Sequence, residues 1–417
     1  MNSGTTPGLA LEATREPAAV LLTVVLCFLT SLCEGFDLQA AGVAAGGIRA
    51  EFHPDAARLG YFFSASTLGL FVGAAFGGRL SDRVGRKSVL VGSVAAFGLF
   101  SLLTPLAANI SALILARLLT GLGLGGALPN LIALGSESAP AHRRSANVTI
   151  IFAGAPIGGA IASLITLLIA PGHWRVIFIV GGIVPLLIVP LLAALLTESH
   201  AFRLARARPS GKGASRVLDL ISEELWWRTL LLWASSLLAL LTLYLLLNWL
   251  PLLMVAGGMT YTQAAGTQIL FNAGGASGAL YIGTQLETQR RKAGVLVTFI
   301  GLPFLLALLI MAAGHLAPTL AVVFLLGAAI LSAQAILYAY APLLYPTAIR
   351  GVGVGFVVAM GRIGSILGPL LGSMLVGAGR SSAQVLAGLL PIVLACSLCA
   401  VALVWRAPDP AEGLAPA

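Results

Sequence analysis

Charge is what this chain has least of. Only 9% of its 417 residues are Asp, Glu, Lys or Arg, whereas soluble domains carry roughly a quarter. Hydrophobic residues make up 58%, which excludes a solvated exterior around an ordinary core and puts the chain in a lipid bilayer. Acid is scarcer than base: 15 acidic residues stand against 24 Lys and Arg, for a net charge of +9. That excess forms no groove-sized stripe with interleaved aromatics, so no nucleic-acid partner is expected. Histidine is limited to five and cysteine to four, and no histidine lies near the middle of an apolar run. Cys27, Cys33, Cys396 and Cys399 sit inside apolar segments. Cys396-Ser-Leu-Cys399 has the spacing of half a zinc site, but without a second pair nearby these thiols are expected to pack as small hydrophobes. No disulfide framework, metal, cofactor or enzyme active site is expected, because no nucleophile stands beside a base and no ligand cluster is present. A cleavable leader is not expected either: the first apolar stretch, 18–45, is too long for one and carries Glu34 and Asp37.

What the chain has instead is long apolar runs. Runs of about 20 residues or more fall near 18–45, 58–79, 88–107, 110–136, 147–171, 176–197, 228–256, 263–285, 293–313, 318–344, 352–378 and 384–405. Twelve crossings put both termini on one side. With that side cytoplasmic, only Arg49, Arg58, Arg175 and Arg380 face outward and only Arg117 and Arg362 lie within spans, as the positive-inside rule requires. The expected fold is an all-α membrane protein of twelve transmembrane helices in the cell (inner) membrane, both termini cytoplasmic.

The one long hydrophilic stretch holds Arg203, Arg206, Arg208, Lys212 and Arg216. It divides the chain into a tail (1–17), a six-helix half (18–197), a cytoplasmic linker (198–227), a second half (228–405) and a short tail (406–417). A weak internal repeat supports that cut. Pro140-x-x-x-Arg144 followed by Gly154 recurs as Pro346-x-x-x-Arg350 followed by Gly361, and Gly283-x-x-x-Glu287 with Arg291 echoes Gly78-x-x-x-Asp82 with Arg86. Two related halves around a central site suit alternating access.

The segment Gly78-Arg-Leu-Ser-Asp-Arg-Val-Gly-Arg-Lys87 packs four cations and a carboxylate between two apolar runs. Gly78 and Gly85 permit close helix approach and a sharp turn. Asp82 can accept from N–H groups at a helix start or pair with Arg83 or Arg86, while Lys87 and its neighbours keep the loop cytoplasmic. A positive-inside loop without further role would account for any one of these charges; the whole spacing resembles the signature between the second and third helices of the major facilitator superfamily. That resemblance implies gating roles for Gly78, Asp82, Arg83, Gly85, Arg86 and Lys87.

Charges at the bilayer centre are costly, so each is a functional hypothesis. Among the acids only Glu34 and Asp37 lie well within a span, with Glu137 at a helix end. If transport is coupled to protons, Glu34 or Asp37 carries them almost by elimination; the alternative is that both are permanent partners of arginine. Three residues apart, they share a helix face. Asp37 and Arg117 lie about eight and about seven residues from the outer ends of their spans, hence at nearly one depth. Leu113-x-x-x-Arg117-x-x-x-Gly121-x-Gly123 also resembles the superfamily's fourth-helix motif, whose arginine is associated with proton transfer. Arg362 has no acid in any C-terminal span. An anionic substrate would supply the missing charge, a planar carboxylate matching guanidinium bidentately; the alternative is a structural arginine bonded to carbonyls. Tyr244, Asn248, Asn272, Gln334, Tyr338 and Tyr340 are further candidates for substrate contact, and Gly154-Ala-Pro156-Ile-Gly158-Gly159 reads as a pliable fifth helix.

Cys33-Glu-Gly-Phe-Asp-Leu-Gln-Ala-Ala-Gly42, Asn248-Trp-Leu-Pro251, Gly361-Arg-Ile-Gly364 and Gly368-Pro369 resemble motifs of the aromatic acid:proton symporters within that superfamily. The Glu-Gly-Phe-Asp-Leu-Gln run, Ala127-Leu-Pro-Asn-Leu-Ile-Ala133 and Leu337-Tyr-Ala-Tyr-Ala-Pro342 look most like its 3-(3-hydroxyphenyl)propionate branch. The resemblance implies proton-related roles for Glu34, Asp37 and Arg117 and a substrate role for Arg362. It departs from the family where Glu34 replaces the commoner Asp and Ala155 the usual Gly. The expected function is import of a small aromatic carboxylate with protons, by a monomer in the bilayer. Proton-driven efflux and a non-transporting sensor of aromatic acids are the alternatives.

Overall fold

The computed structural model describes residues 17–137, 144–169, 172–198, 225–286, 291–312, 314–346 and 349–406. Within them lie twelve α-helices: α1 (Pro17–Phe52), α2 (Ala56–Val84), α3 (Arg86–Leu103), α4 (Ile110–Glu137), α5 (Arg144–Leu168), α6 (Arg175–Leu195), α7 (Trp226–Ala256), α8 (Tyr261–Leu286), α9 (Arg291–Met311), α10 (Leu316–Leu344), α11 (Arg350–Gly377) and α12 (Ser382–Arg406). Helices are what a bilayer permits, since hydrocarbon offers backbone N–H and C=O groups no partner outside their own segment.

The expected spans and the helices agree to within a few residues, with two corrections. The first run was expected to stop at 45, but α1 continues to Phe52; Glu51, in its last turn, accepts from both Nη atoms of Arg175 and from Trp174 Nε1. The third was expected to reach 107, but Pro105 ends it in a 3-10 turn, Thr104–Leu106. Most of the expected linker lies outside the described residues, as do Glu287, the Pro140 end of the repeat, and both tails apart from Pro17 and Arg406.

The molecule is apolar outside and polar at its centre. Phe76, Leu168, Val297, Phe304 and Met311 are exposed, while Gln39, Asn130, Gln268, Asn272, Arg117 and Arg362 are buried. Large hydrophobic side chains belong on the surface when the solvent is lipid. Hydrocarbon gives no hydrophobic drive for helices to associate, so small residues that let backbones approach decide the contacts. Gly121 of α4 shows it: a Cβ there would collide with the carbonyl of Ser66 on α2.

The helices form two bundles of six with matching internal packing. In the first, α2 lies on α4 and α1 on α5; in the second, α8 lies on α10 and α7 on α11. The bundles meet through α2 with α11 and α5 with α8, again a symmetric pair. Near the end where α1 finishes and α2 starts, they are stitched together. Ser64 Oγ donates to Ile366 O at 2.9 Å, Thr67 Oγ1 to Ser365 O at 3.4 Å and Tyr261 OH to Val43 O at 3.0 Å. The Phe63 ring stands edge-on to Trp249 at 5.2 Å, and Trp249 Nε1 is tied to Pro369 O at 3.0 Å.

At the opposite end, Gly85 separates α2 from α3 with φ 103°, a left-handed conformation that favours glycine. The start of α3 is held by Glu198, just past α6, whose carboxylate accepts from the backbone N–H of Arg86 at 3.0 Å and of Lys87 at 3.1 Å. Glu198 is thus an anion at the positive end of a helix, a task for which the sequence also offered Asp82, whose side chain lies outside the described residues.

Candidate functional site

Between the bundles is a cavity of about 960 Å³, large enough for a small organic ligand. Its walls come from α1, α4 and α5 on one side and α7, α8, α10 and α11 on the other. It reaches Thr149, Gly283, Leu286 and Leu343, all near the Gly85 end. The stitched contacts described above lie towards the other end.

Five of the six expected uncharged contacts line this cavity: Tyr244, Asn272, Gln334, Tyr338 and Tyr340. Asn248 does not. It is buried one turn beyond Tyr244, donates to the Tyr244 carbonyl at 2.8 Å and packs its backbone against Gly42 of α1. Pro156 lines the wall within an unbroken α5.

The structure separates the two acids that were expected to share a face. Glu34 lines the cavity, is 3% exposed, and its Oε2 has no hydrogen-bond partner. Asp37 points away from the cavity into the first bundle. Arg117 Nη1 donates to both of its carboxylate oxygens at 2.9 Å, Arg117 Nη2 donates to its backbone carbonyl at 3.0 Å, and Ser101 Oγ to Oδ1 at 2.9 Å. The Phe178 ring stacks 5.5 Å from the guanidinium. Three residues advance a helix by about 300°, so neighbouring positions on a broad face still diverge when the helix is surrounded on all sides.

Arg362 also lines the cavity, 8% exposed, with its Nη1 3.1 Å from the Tyr244 hydroxyl. Among the described residues of the C-terminal spans there is no acid, as the sequence indicated. Glu34, from the other half, is within electrostatic range of Arg362, though the two do not close to a salt bridge.

Gln39 was missed. It stands five residues after Glu34, lines the cavity, and joins two amides of α8. Its Oε1 accepts from Gln268 Nε2 at 2.9 Å and from Asn272 Nδ2 at 2.8 Å, and its Nε2 donates to Asn272 Oδ1. A primary amide in the middle of an apolar run was the available signal, since a buried polar group needs a partner. Cys396 packs as expected, its thiol near the Ser235 carbonyl at 3.4 Å.

The model of the Major Facilitator Superfamily matches residues 27–334. A 3-(3-hydroxy-phenyl)propionate transporter of Escherichia coli (strain K12) is 43% identical over 94% of this chain and 97% of its own. A gallate transporter of Pseudomonas putida is 34% identical over 86% of each chain. Among solved structures, a D-xylose-proton symporter superposes with a TM-score of 0.77 at 17% identity, over 94% of this chain and 99% of that one.

Proposed function

The chain belongs to the major facilitator superfamily and is a membrane transport protein, not an enzyme; from that premise we propose that it imports a small aromatic carboxylate together with protons by alternating access. The two halves, 18–197 and 228–405, rock about the cavity. The linker, both tails and the Gly85 end lie in the cytoplasm, because that orientation keeps most Lys and Arg inside. In that orientation the Phe63–Trp249 contact and the Ser64, Thr67 and Tyr261 bonds form the outer gate above the cavity. The protein works as a monomer in the cell (inner) membrane, with substrate, protons and lipid as its partners.

The observation that carries this reading is the meeting of Arg362 and Glu34 in one cavity without a salt bridge. Arg362 offers a planar fork to a carboxylate, which a point cation could not match. Tyr244, already bonded to Nη1, holds the fork in place. The names of the relatives fit such a ligand: both transport aromatic acids. One guanidinium cannot balance two anions at close range. An entering carboxylate is therefore accompanied by a proton on Glu34, and release of the acid to the cytoplasm returns Glu34 to Arg362 and frees the proton. Asp37 and Arg117 couple the same event to helix movement, as partners that part when Asp37 is protonated.

Uptake of labelled aromatic acids into proteoliposomes tests the reading. Accumulation is expected when the outside is acidic, and its loss on adding a protonophore. Binding without flux would make the protein a sensor, and accumulation indifferent to the proton gradient would remove the coupling.

A further inference from the structure

We infer that the Gln39–Asn272 amide pair reads a hydroxyl group on the ring of the bound acid, so that the preferred substrates are phenolic rather than unsubstituted aromatic acids. The inference rests on the proposed transport of an aromatic carboxylate and deepens it by naming the second polar group of the ligand.

A primary amide has two N–H donors and an oxygen with two acceptor sites. The Asn272 amide is oriented by the backbone, because its Nδ2 donates to the Gln268 carbonyl at 2.9 Å. Its other N–H goes to Gln39 Oε1, which leaves Asn272 with no donor to spare and one acceptor site on Oδ1. Gln39 Oε1 is filled by Asn272 and Gln268, and Gln39 Nε2 has given one N–H to Asn272 Oδ1. Gln39 thus retains one donor and no acceptor.

Both residues line the cavity and both are nearly closed to solvent, 4% and 2% exposed. The pair therefore offers the ligand one N–H and one oxygen lone pair side by side. A hydroxyl both donates and accepts, so it can use the two together. A second carboxylate can only accept and an ammonium can only donate, and either would leave half of the pair unmet. Buried groups left unmet are where discrimination arises, since a site built for a hydroxyl rejects the analogue that lacks it far more strongly than an apolar pocket rejects an extra methylene.

Position agrees with chemistry. Gln39 lies five residues beyond Glu34 on α1, about 7.5 Å further along the helix axis, towards the Val43–Tyr261 bond. The carboxylate and a ring hydroxyl of one ligand are then met by different parts of the same cavity wall. Gln268, which does not line the cavity, supports the pair from behind.

The experiment measures binding of matched acids to purified protein by calorimetry: 3-(3-hydroxyphenyl)propionate against 3-phenylpropionate, and 4-hydroxybenzoate against benzoate. Wild type is expected to favour the hydroxylated member at least about tenfold, a difference in the range of one net buried hydrogen bond. Gln39→Leu should bring the two within about threefold by weakening the phenolic acid while leaving its partner little changed, as loss of one hydrogen bond predicts. Gln39→Asn, which keeps donor and acceptor, should restore part of the preference. A merely structural role would weaken both acids alike. Should Gln39→Leu fail to fold, Asn272→Ala removes the same contact from α8. An unchanged ratio in a folded variant, or no preference in wild type, overturns the inference while leaving carboxylate transport standing. Failure of wild type to bind any of the four acids overturns both.

Discussion

Asp37 and Arg117 are sealed together inside the first bundle: two Nη1 contacts of 2.9 Å join them, and neither side chain has any exposed surface. Desolvating two charges costs much of what their attraction returns, so such a pair is better evidence for specificity than for stability. Breaking it from one side is another matter, because the remaining charge has no solvent to turn to.

Asp37→Asn or Arg117→Met alone should therefore destabilise the protein by about 3–5 kcal/mol, while the double replacement Asp37→Leu, Arg117→Met recovers much of that loss. Thermal unfolding in detergent measures it. Single variants that melt with wild type would mean that the pair opens readily in the resting protein.

Glu34→Gln keeps the shape of the side chain but cannot carry a proton. Substrate exchange across the membrane should persist in counterflow, and accumulation driven by an imposed proton gradient should disappear. Wild-type accumulation in this variant would pass the proton to Asp37.

Arg362→Lys should weaken binding of the acid although the charge is kept, since an ammonium lacks the two-pronged geometry. Arg362→Ala should cost roughly 3–5 kcal/mol, the penalty for leaving one buried charge without its partner, and Tyr244→Phe about 1 kcal/mol, one hydrogen bond. Calorimetry with the acid and with its neutral amide separates the cases: the amide should distinguish wild type from Arg362→Ala poorly. Tight binding of the acid by Arg362→Ala would make Arg362 structural.

Glu198→Ala removes the carboxylate that caps α3 at Arg86 and Lys87. A lost cap costs about 1 kcal/mol, and it falls at the hinge between α2 and α3. Turnover should slow while equilibrium affinity stays the same, and Asp82→Asn or Arg86→Ala should behave similarly. A large loss of binding at unchanged turnover would place this loop at the substrate instead.

Twelve helices, their limits to within a few residues, and the division into two bundles were all legible in the sequence. Lipid forces every crossing into a helix of predictable length, and Pro, Gly and charge mark its ends. The larger boundary miss came from an interaction distant in sequence, whereas the end of α3 was marked locally by Pro105. Glu51 holds α1 past its apolar run through Arg175, and neither residue signals the other locally.

The residue types able to do chemistry were equally visible. An apolar chain with few charges makes Glu34, Asp37, Arg117 and Arg362 stand out from composition alone. Which of them share a space was decided by the tertiary structure. It turns Glu34 to the cavity and Asp37 to Arg117, brings Glu34 of one half near Arg362 of the other, leaves Asn248 behind Tyr244, and joins Gln39 to Gln268 and Asn272. Helical periodicity sets the angle between two side chains on one helix. The direction that either finally faces depends on the rotation and tilt of that helix, which are set by close contacts of small residues between segments far apart in the chain.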